Sequence, residues 1–79
     1  MVDSIHTERY QIFRELLVAA RQKQGLSQAA LADRLGRVQT FVSKYERGER
    51  RLDVVEFLDV AAALGLDPHK VLRKLGADK

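Results

Sequence analysis

The basic side chains that could bind an acidic partner are concentrated in one segment, Arg37 to Arg51. This segment contains five basic residues and two acidic ones, so it carries all of the formal net charge of +3. A basic patch confined to one short segment is typical of a surface that binds a polyanion. A solvated charged face has the same composition, so charge alone leaves both interpretations open. The basic residues are Arg37, Lys44, Arg47, Arg50 and Arg51, and the acidic ones are Glu46 and Glu49.

Residue types that support catalysis or metal binding are sparse and poorly spaced. The two histidines, His6 and His69, have no ligand spacing with each other, and the chain has no cysteine. His69 near Asp67 is more simply part of a helix start than a metal ligand. Serine, histidine and aspartate all occur, but no strand-turn-helix elbow or phosphate-binding glycine loop accompanies them. The sequence therefore predicts no catalytic residue, metal site, cofactor or small-molecule substrate.

Length and hydropathy favour one small domain with no membrane segment. The 79 residues suffice for a single core, so we expect one domain over residues 1–79, with its core at about 8–76 and a short flexible N-terminus. The longest uninterrupted apolar run, Leu16 to Ala20, is far shorter than a membrane-spanning helix. Met1 to Ser4 lack the order of a signal peptide, which predicts a cytoplasmic protein.

Three pairs of residues repeat one pattern of helix initiation, a leucine followed by a side chain that can cap a helix. The polar side chain can accept from the free N–H groups of the first turn, while the leucine packs against an apolar residue one turn on. Glu56 completes a capping box with Asp53, and Pro68 takes the first helical position, where no N–H is needed. The pairs are Leu26-Ser27, Leu52-Asp53 and Leu66-Asp67.

Glycines and apolar spacing divide the chain into five helices. Helix one is expected from near Thr7 to just before Gly25, helix two from Gln28 to Leu35, and helix three from about Gln39 to Arg47. Helices four and five follow Asp53 and Asp67. No segment alternates with the period of a strand, so the predicted fold class is all-α, a compact bundle of five short helices.

Helices two and three are joined only by the turn Gly36-Arg37-Val38, so they must pack as a tight pair. Ala32 is small where the two helices approach, and an apolar seam of Leu31, Leu35, Val42 and Tyr45 lies between them. This arrangement predicts helix-turn-helix geometry.

Four motifs around this helix pair occur together and in one order: Gly25-Leu26-Ser27-Gln28, Leu31-Ala32, Leu35-Gly36 and Phe41-Val42-Ser43-Lys44-Tyr45-Glu46-Arg47-Gly48. They resemble the phage repressor and Cro-like helix-turn-helix family, also called the xenobiotic-response-element (XRE) family. The resemblance continues from Leu52 to Gly65. It implies a lambda-repressor-like DNA-binding fold in which helix three is the recognition helix.

The resemblance implies that outward side chains near the start of helix three contact base edges. Those side chains are Gln39, Thr40, Ser43 and Lys44. Gln39 can bond bidentately to adenine, Lys44 can donate to guanine, and Thr40 offers a hydroxyl and a methyl. The alternative is an exposed polar face on an ordinary short helix.

A second set of residues is expected to contact phosphates without reading sequence. Gln28 begins helix two, where family members touch a phosphate and often brace the first residue of the recognition helix, here Gln39. The flanking arginines could instead serve only as solubilising charges. The set is Gln28, Arg37, Arg47, Arg50 and Arg51.

Three further residues are assigned to structure rather than to DNA contact. Arg21 and Glu46 stand where this family often has an ion pair that ties helix one to the end of helix three. Phe41 is expected to pack in the interior, with thymine contact as its alternative.

Two positions depart from the family pattern. Ala30 stands where many members carry a glutamate that completes a capping box with Ser27, and Arg37-Val38 replaces the pairing that places a serine or threonine cap before helix three.

The family resemblance predicts a homodimeric transcriptional repressor that binds double-stranded DNA at a palindromic operator. Val71, Leu72 and Leu75 could form the dimer surface or could simply close the core. One alternative is an antitoxin-like protein whose main ligand is a partner protein. Another is a structural adapter that has lost DNA binding.

Overall fold

A computed structural model describes residues 7–76, and within that range the chain forms five helices. No strand occurs in this range, so the predicted all-α class is confirmed. The predictions about the N-terminus, including its flexibility, His6 and the absence of a signal peptide at Met1 to Ser4, lie outside the described residues. The helices are α1 (Glu8–Lys23), α2 (Gln28–Leu35), α3 (Gln39–Arg47), α4 (Val54–Leu64) and α5 (Pro68–Lys74).

The predicted helix starts are confirmed as local hydrogen bonds. The Ser27 hydroxyl accepts from the Ala30 N–H at 3.0 Å. Asp53 accepts from the Glu56 N–H at 2.7 Å, and the Glu56 carboxylate accepts from the Asp53 N–H at 3.0 Å, which makes a complete capping box. Asp67 caps α5, with Pro68 at its first position. Each bond satisfies an N–H that the helix itself leaves without a partner.

Helix α3 begins without such a cap, as the sequence pattern predicts. Val38 occupies the cap position and provides no side-chain hydrogen bond, yet the helix still begins at Gln39. The preceding turn is set by Gly36, which has φ 68° and ends α2 in the left-handed conformation. The Arg37 N–H then donates to the Ala32 carbonyl at 3.0 Å and closes the end of α2.

One apolar cluster, to which all five helices contribute, forms the core of the described residues. Phe13 on α1 meets Phe57 on α4 edge to face, with ring centroids 5.2 Å apart. Leu31, Val42 and Tyr45 are fully buried where α2 packs on α3. Burial raises the pKa of the Tyr45 phenol, which therefore stays neutral in the folded protein.

The packing of α2 on α3 confirms the predicted seam. Ala32 is 2% exposed, and Leu35 packs against the core from the edge of the seam. Because α2 packs against one side of α3 through this seam, the opposite side of α3 faces solvent. None of the described helices is both long enough and apolar enough to cross a bilayer.

Candidate nucleic-acid interface

The outer side of α3 carries the four polar residues that the sequence predicts for base contact. Gln39, Thr40 and Lys44 are exposed, and Ser43 is half-buried, with its hydroxyl donating to the Thr40 carbonyl at 3.3 Å. Spacings of three and four residues bring them to one side of the helix. Thr40 and Lys44 also line a shallow surface groove of about 310 Å³ that Arg50 borders.

Phe41 lies on the inner side of α3 and packs in the interior, as predicted. It is 8% exposed, and its ring meets the Tyr45 ring edge to face at a centroid distance of 5.7 Å. Two guanidinium groups lie over this ring, that of Arg37 at 4.3 Å and that of Arg50 at 4.8 Å from the ring centroid. The Phe41 ring therefore packs against the guanidinium groups of Arg37 and Arg50.

Glu56 holds both of these arginines. Its Oε2 accepts from Arg50 Nη2 at 2.6 Å and lies 3.6 Å from Arg37 Nη2, while Oε1 accepts from Arg50 Nη1 at 2.8 Å. The hydrogen bonds from Arg50 and then from the Asp53 N–H lower the pKa of Glu56 to about 2. We call Arg37, Phe41, Arg50 and Glu56 the Glu56 cluster. Sequence reasoning treated Glu56 only as a cap and missed this second role.

The remaining arginines of the basic segment also have protein partners. Arg47 donates to the Glu49 carboxylate through Nε at 2.9 Å and Nη2 at 3.0 Å, and this pairing lowers the pKa of Glu49. Arg51 stacks on the Tyr10 ring at 4.6 Å. Lys44 takes part in none of the ion pairs found among residues 7–76. The positive charge of this surface is therefore partly offset before any ligand binds.

Comparison with known proteins identifies the family of this helical arrangement. A helix-turn-helix family model matches residues 17–71, which include α2, α3 and α4. A solved structure described as an XRE-family like protein from Pseudomonas syringae pv. tomato str. DC3000 is 53% identical and superimposes with a TM-score of 0.86. The similarity covers 94% of this chain and 90% of that chain. The chain belongs to the XRE family of helix-turn-helix proteins. No curated protein sequence matches it.

Membership of the XRE family makes this chain a DNA-binding regulatory domain rather than an enzyme. Within residues 7–76, no three His, Cys, Asp or Glu side chains lie close enough together to hold a metal ion.

The ion pair that the resemblance predicts is present in this XRE-family protein. Arg21 Nε donates to Glu46 Oε2 at 2.7 Å, and Arg21 Nη2 donates to Oε1 at 3.1 Å. Both side chains are largely buried, and the hydrogen bond to Glu46 raises the pKa of Arg21. The pair joins α1 to the end of α3 and thereby helps to orient the recognition helix.

The prediction that Gln28 braces Gln39 is wrong. The Gln28 amide instead donates from Nε2 to Glu46 Oε1 at 2.8 Å. The carboxylate of Glu46 is charged and is already held in place by Arg21, so it is a stronger acceptor than a neutral amide. Gln28 therefore joins α2 to the end of α3, and Gln39 at the start of α3 remains exposed.

Of the three C-terminal apolar residues that the sequence assigns either to the core or to a dimer surface, two pack in or against the core. Val71 is 2% exposed and belongs to the core, and Leu75 packs against the core. Leu72 is 41% exposed. A larger exposed apolar surface lies on the outer side of α4, where Val54, Val55 and Leu58 are 73%, 67% and 47% exposed. The exposed apolar surface of α5 is thus smaller than its apolar residues alone suggest.

Proposed function

We propose that residues 1–79 form a single cytoplasmic domain that binds double-stranded DNA sequence-specifically and represses transcription as a homodimer. The observation that carries this proposal is the outer side of α3, which presents exposed Gln39, Thr40 and Lys44 beside a cluster of arginines. In a helix-turn-helix protein this side of the second helix enters the major groove. An adapter that had lost DNA binding would have no need of this combination.

Base reading is assigned to Gln39, Thr40, Ser43 and Lys44. Thr40 and Lys44 are the strongest members, because both are exposed and both line the groove beside α3. Lys44 forms none of the ion pairs seen among residues 7–76, so its ammonium can reach a guanine without first leaving a carboxylate. Ser43 can contribute its remaining lone pairs, since its proton already bonds to the Thr40 carbonyl.

Phosphate contact is assigned to Gln28, Arg37, Arg47, Arg50 and Arg51. The ion pair of Arg47 with Glu49 is exposed and costs little to exchange for a phosphate. Arg37 and Arg50 have side chains that are 42% and 38% exposed, so their outer N–H groups remain accessible to a ligand. Each phosphate that these residues neutralise releases counterions, which makes the affinity fall as salt is added.

The size of the protein supports a dimer on DNA. The chain extends 35 × 24 × 20 Å, and equivalent points in successive major grooves on one side of DNA lie about 34 Å apart. Two copies at neighbouring half-sites would touch if their 35 Å axes lie along the DNA. We assign the contact to the outer side of α4 around Leu58, which offers more exposed apolar surface than α5.

The proposal is tested by selecting bound sequences from a pool of duplexes with a random core of about 20 base pairs, enough for two half-sites. The selected duplex and a shuffled duplex of the same composition are then titrated by fluorescence anisotropy at several KCl concentrations. We expect a palindromic consensus and a preference of at least about 10³ for the selected duplex. An unenriched pool, or equal affinities for the two duplexes, would contradict sequence-specific binding, and an affinity that does not change with salt would contradict the assigned phosphate contacts.

A further inference from the structure

Glu56 places a negative charge next to the surface that we assign to DNA. Its carboxylate is 12% exposed, and it remains ionised in the folded protein well below neutral pH. A fixed carboxylate beside DNA repels the phosphates and weakens binding. Its presence here is explained if it performs another task that favours binding. A helix cap alone does not require the charge, because glutamine completes a capping box as well as glutamate does.

The contacts of Glu56 identify that task. One carboxylate meets both guanidinium groups, and both groups also lie over the Phe41 ring. Arg50 is held through Nη1 and Nη2, and Nη1 also donates to the Arg51 carbonyl at 2.9 Å. A guanidinium has five N–H donors, so Arg37 and Arg50 keep donors for a further anion.

We infer that Glu56 is a positioning residue that orients the guanidinium groups of Arg37 and Arg50 for phosphate contact beside the recognition helix. The inference rests on the proposed function and adds to it a residue that does not touch DNA. Arginine side chains lose much rotational freedom when they bind. Since Glu56 and Phe41 restrict both side chains in the free protein, less of that freedom is lost when DNA binds.

Charge and positioning predict opposite effects for one substitution. Glu56→Gln removes a negative charge, so electrostatics alone predicts tighter DNA binding. Positioning predicts weaker binding, because the neutral amide ends the ion pairs with Arg37 and Arg50 and the Oε2 bond to Arg50, while its oxygen keeps the capping hydrogen bond from the Asp53 N–H. The matched control is Asp53→Asn, which removes one negative charge at the same helix start and keeps an efficient cap. Asp53 forms none of the ion pairs among residues 7–76.

The experiment measures affinity for the selected duplex and the shuffled duplex with the wild type and both variants at one KCl concentration. We expect Glu56→Gln to weaken binding to the selected duplex by about two- to tenfold, the factor expected for ordering one flexible side chain. Asp53→Asn is expected to bind equally well or more tightly. If both variants tighten binding by the same factor, or Glu56→Gln has no effect, the inference is wrong.

A double-mutant cycle distinguishes the positioning role of Glu56 from a purely structural one. In a background of Arg37→Ala and Arg50→Ala, positioning predicts that Glu56→Gln no longer weakens binding, because its targets are absent. If Glu56 only stabilises α4, Glu56→Gln would still weaken binding in that background, and this result would overturn the inference. Failure of the proposed function gives a different result, in which the wild type itself shows no preference for any duplex.

Discussion

Arg21 on α1 donates to Glu46 on α3 at 2.7 Å, and Glu46 also accepts from Gln28 on α2 at 2.8 Å. One carboxylate thus joins the first three helices at the end of the recognition helix. Removing one member of a largely buried ion pair leaves the other charge without compensation. The stability of the whole helix-turn-helix therefore depends on Glu46.

We predict that Glu46→Gln lowers the free energy of unfolding by about 3 kcal/mol, because Arg21 loses its charged partner in a largely buried position. Urea denaturation followed by circular dichroism measures the loss. Glu49→Gln is the matched control, since Glu49 also pairs with an arginine but is exposed. An equally stable Glu46 variant would show that the buried pair does not stabilise the fold.

Substitutions on the outer side of α3 should separate base reading from phosphate contact. We predict that Thr40→Ala or Lys44→Ala weakens binding to the selected duplex by about 1 to 3 kcal/mol and leaves binding to the shuffled duplex nearly unchanged. Anisotropy titrations with both duplexes measure this difference.

Arg51→Ala provides the contrast to these α3 variants. It should weaken binding to both duplexes and reduce the salt slope by about one unit, because a phosphate contact carries no sequence information. Melting curves check that loss of the contact with the Tyr10 ring has not unfolded the variant. Equal losses on both duplexes for the α3 variants, with a selective loss for Arg51→Ala, would reverse our assignment.

The dimer is tested on the outer side of α4. We predict that Leu58→Gln shifts sedimentation from dimer to monomer and weakens binding to a palindromic duplex, while binding to a single half-site is unchanged. Leu72→Gln tests the smaller α5 surface, whose exposed leucine has a similar exposure. Dissociation by the Leu72 variant alone would move the interface to α5, and a monomeric wild type would exclude a dimer in the free protein.

Glu56 gives the stability a specific dependence on pH. Its pKa is about 2 in the folded protein, below the ordinary value of 4.5, so its contribution is complete above the ordinary value and is lost as pH falls toward 2. We predict that wild type is more stable than Glu56→Gln above about pH 5, and that this difference shrinks between pH 4.5 and about 2. Urea denaturation across that range measures the difference. A difference that does not change with pH would contradict the pairing.

Much of the fold was predictable from the sequence because it depends on contacts between near neighbours in the chain. The Ser27 cap, the Asp53 capping box and the left-handed Gly36 each involve residues within about one helical turn. The bounds of α2 and the start of α4 follow from these signals, and the outer side of α3 follows from helical periodicity. Phe41 was correctly assigned to the interior.

The contacts of the interface were decided only by the tertiary structure. Glu56 on α4 pairs with Arg37 in the turn between α2 and α3, and Gln28 bonds to Glu46 rather than bracing Gln39. These partners are separated by many residues, so their meeting depends on the angles at which α2, α3 and α4 pack. The sequence by itself determined which residues are polar, charged and helical. Packing determined which charges share one carboxylate, because a hydrogen bond requires its atoms within about 3 Å and periodicity does not specify distances between helices.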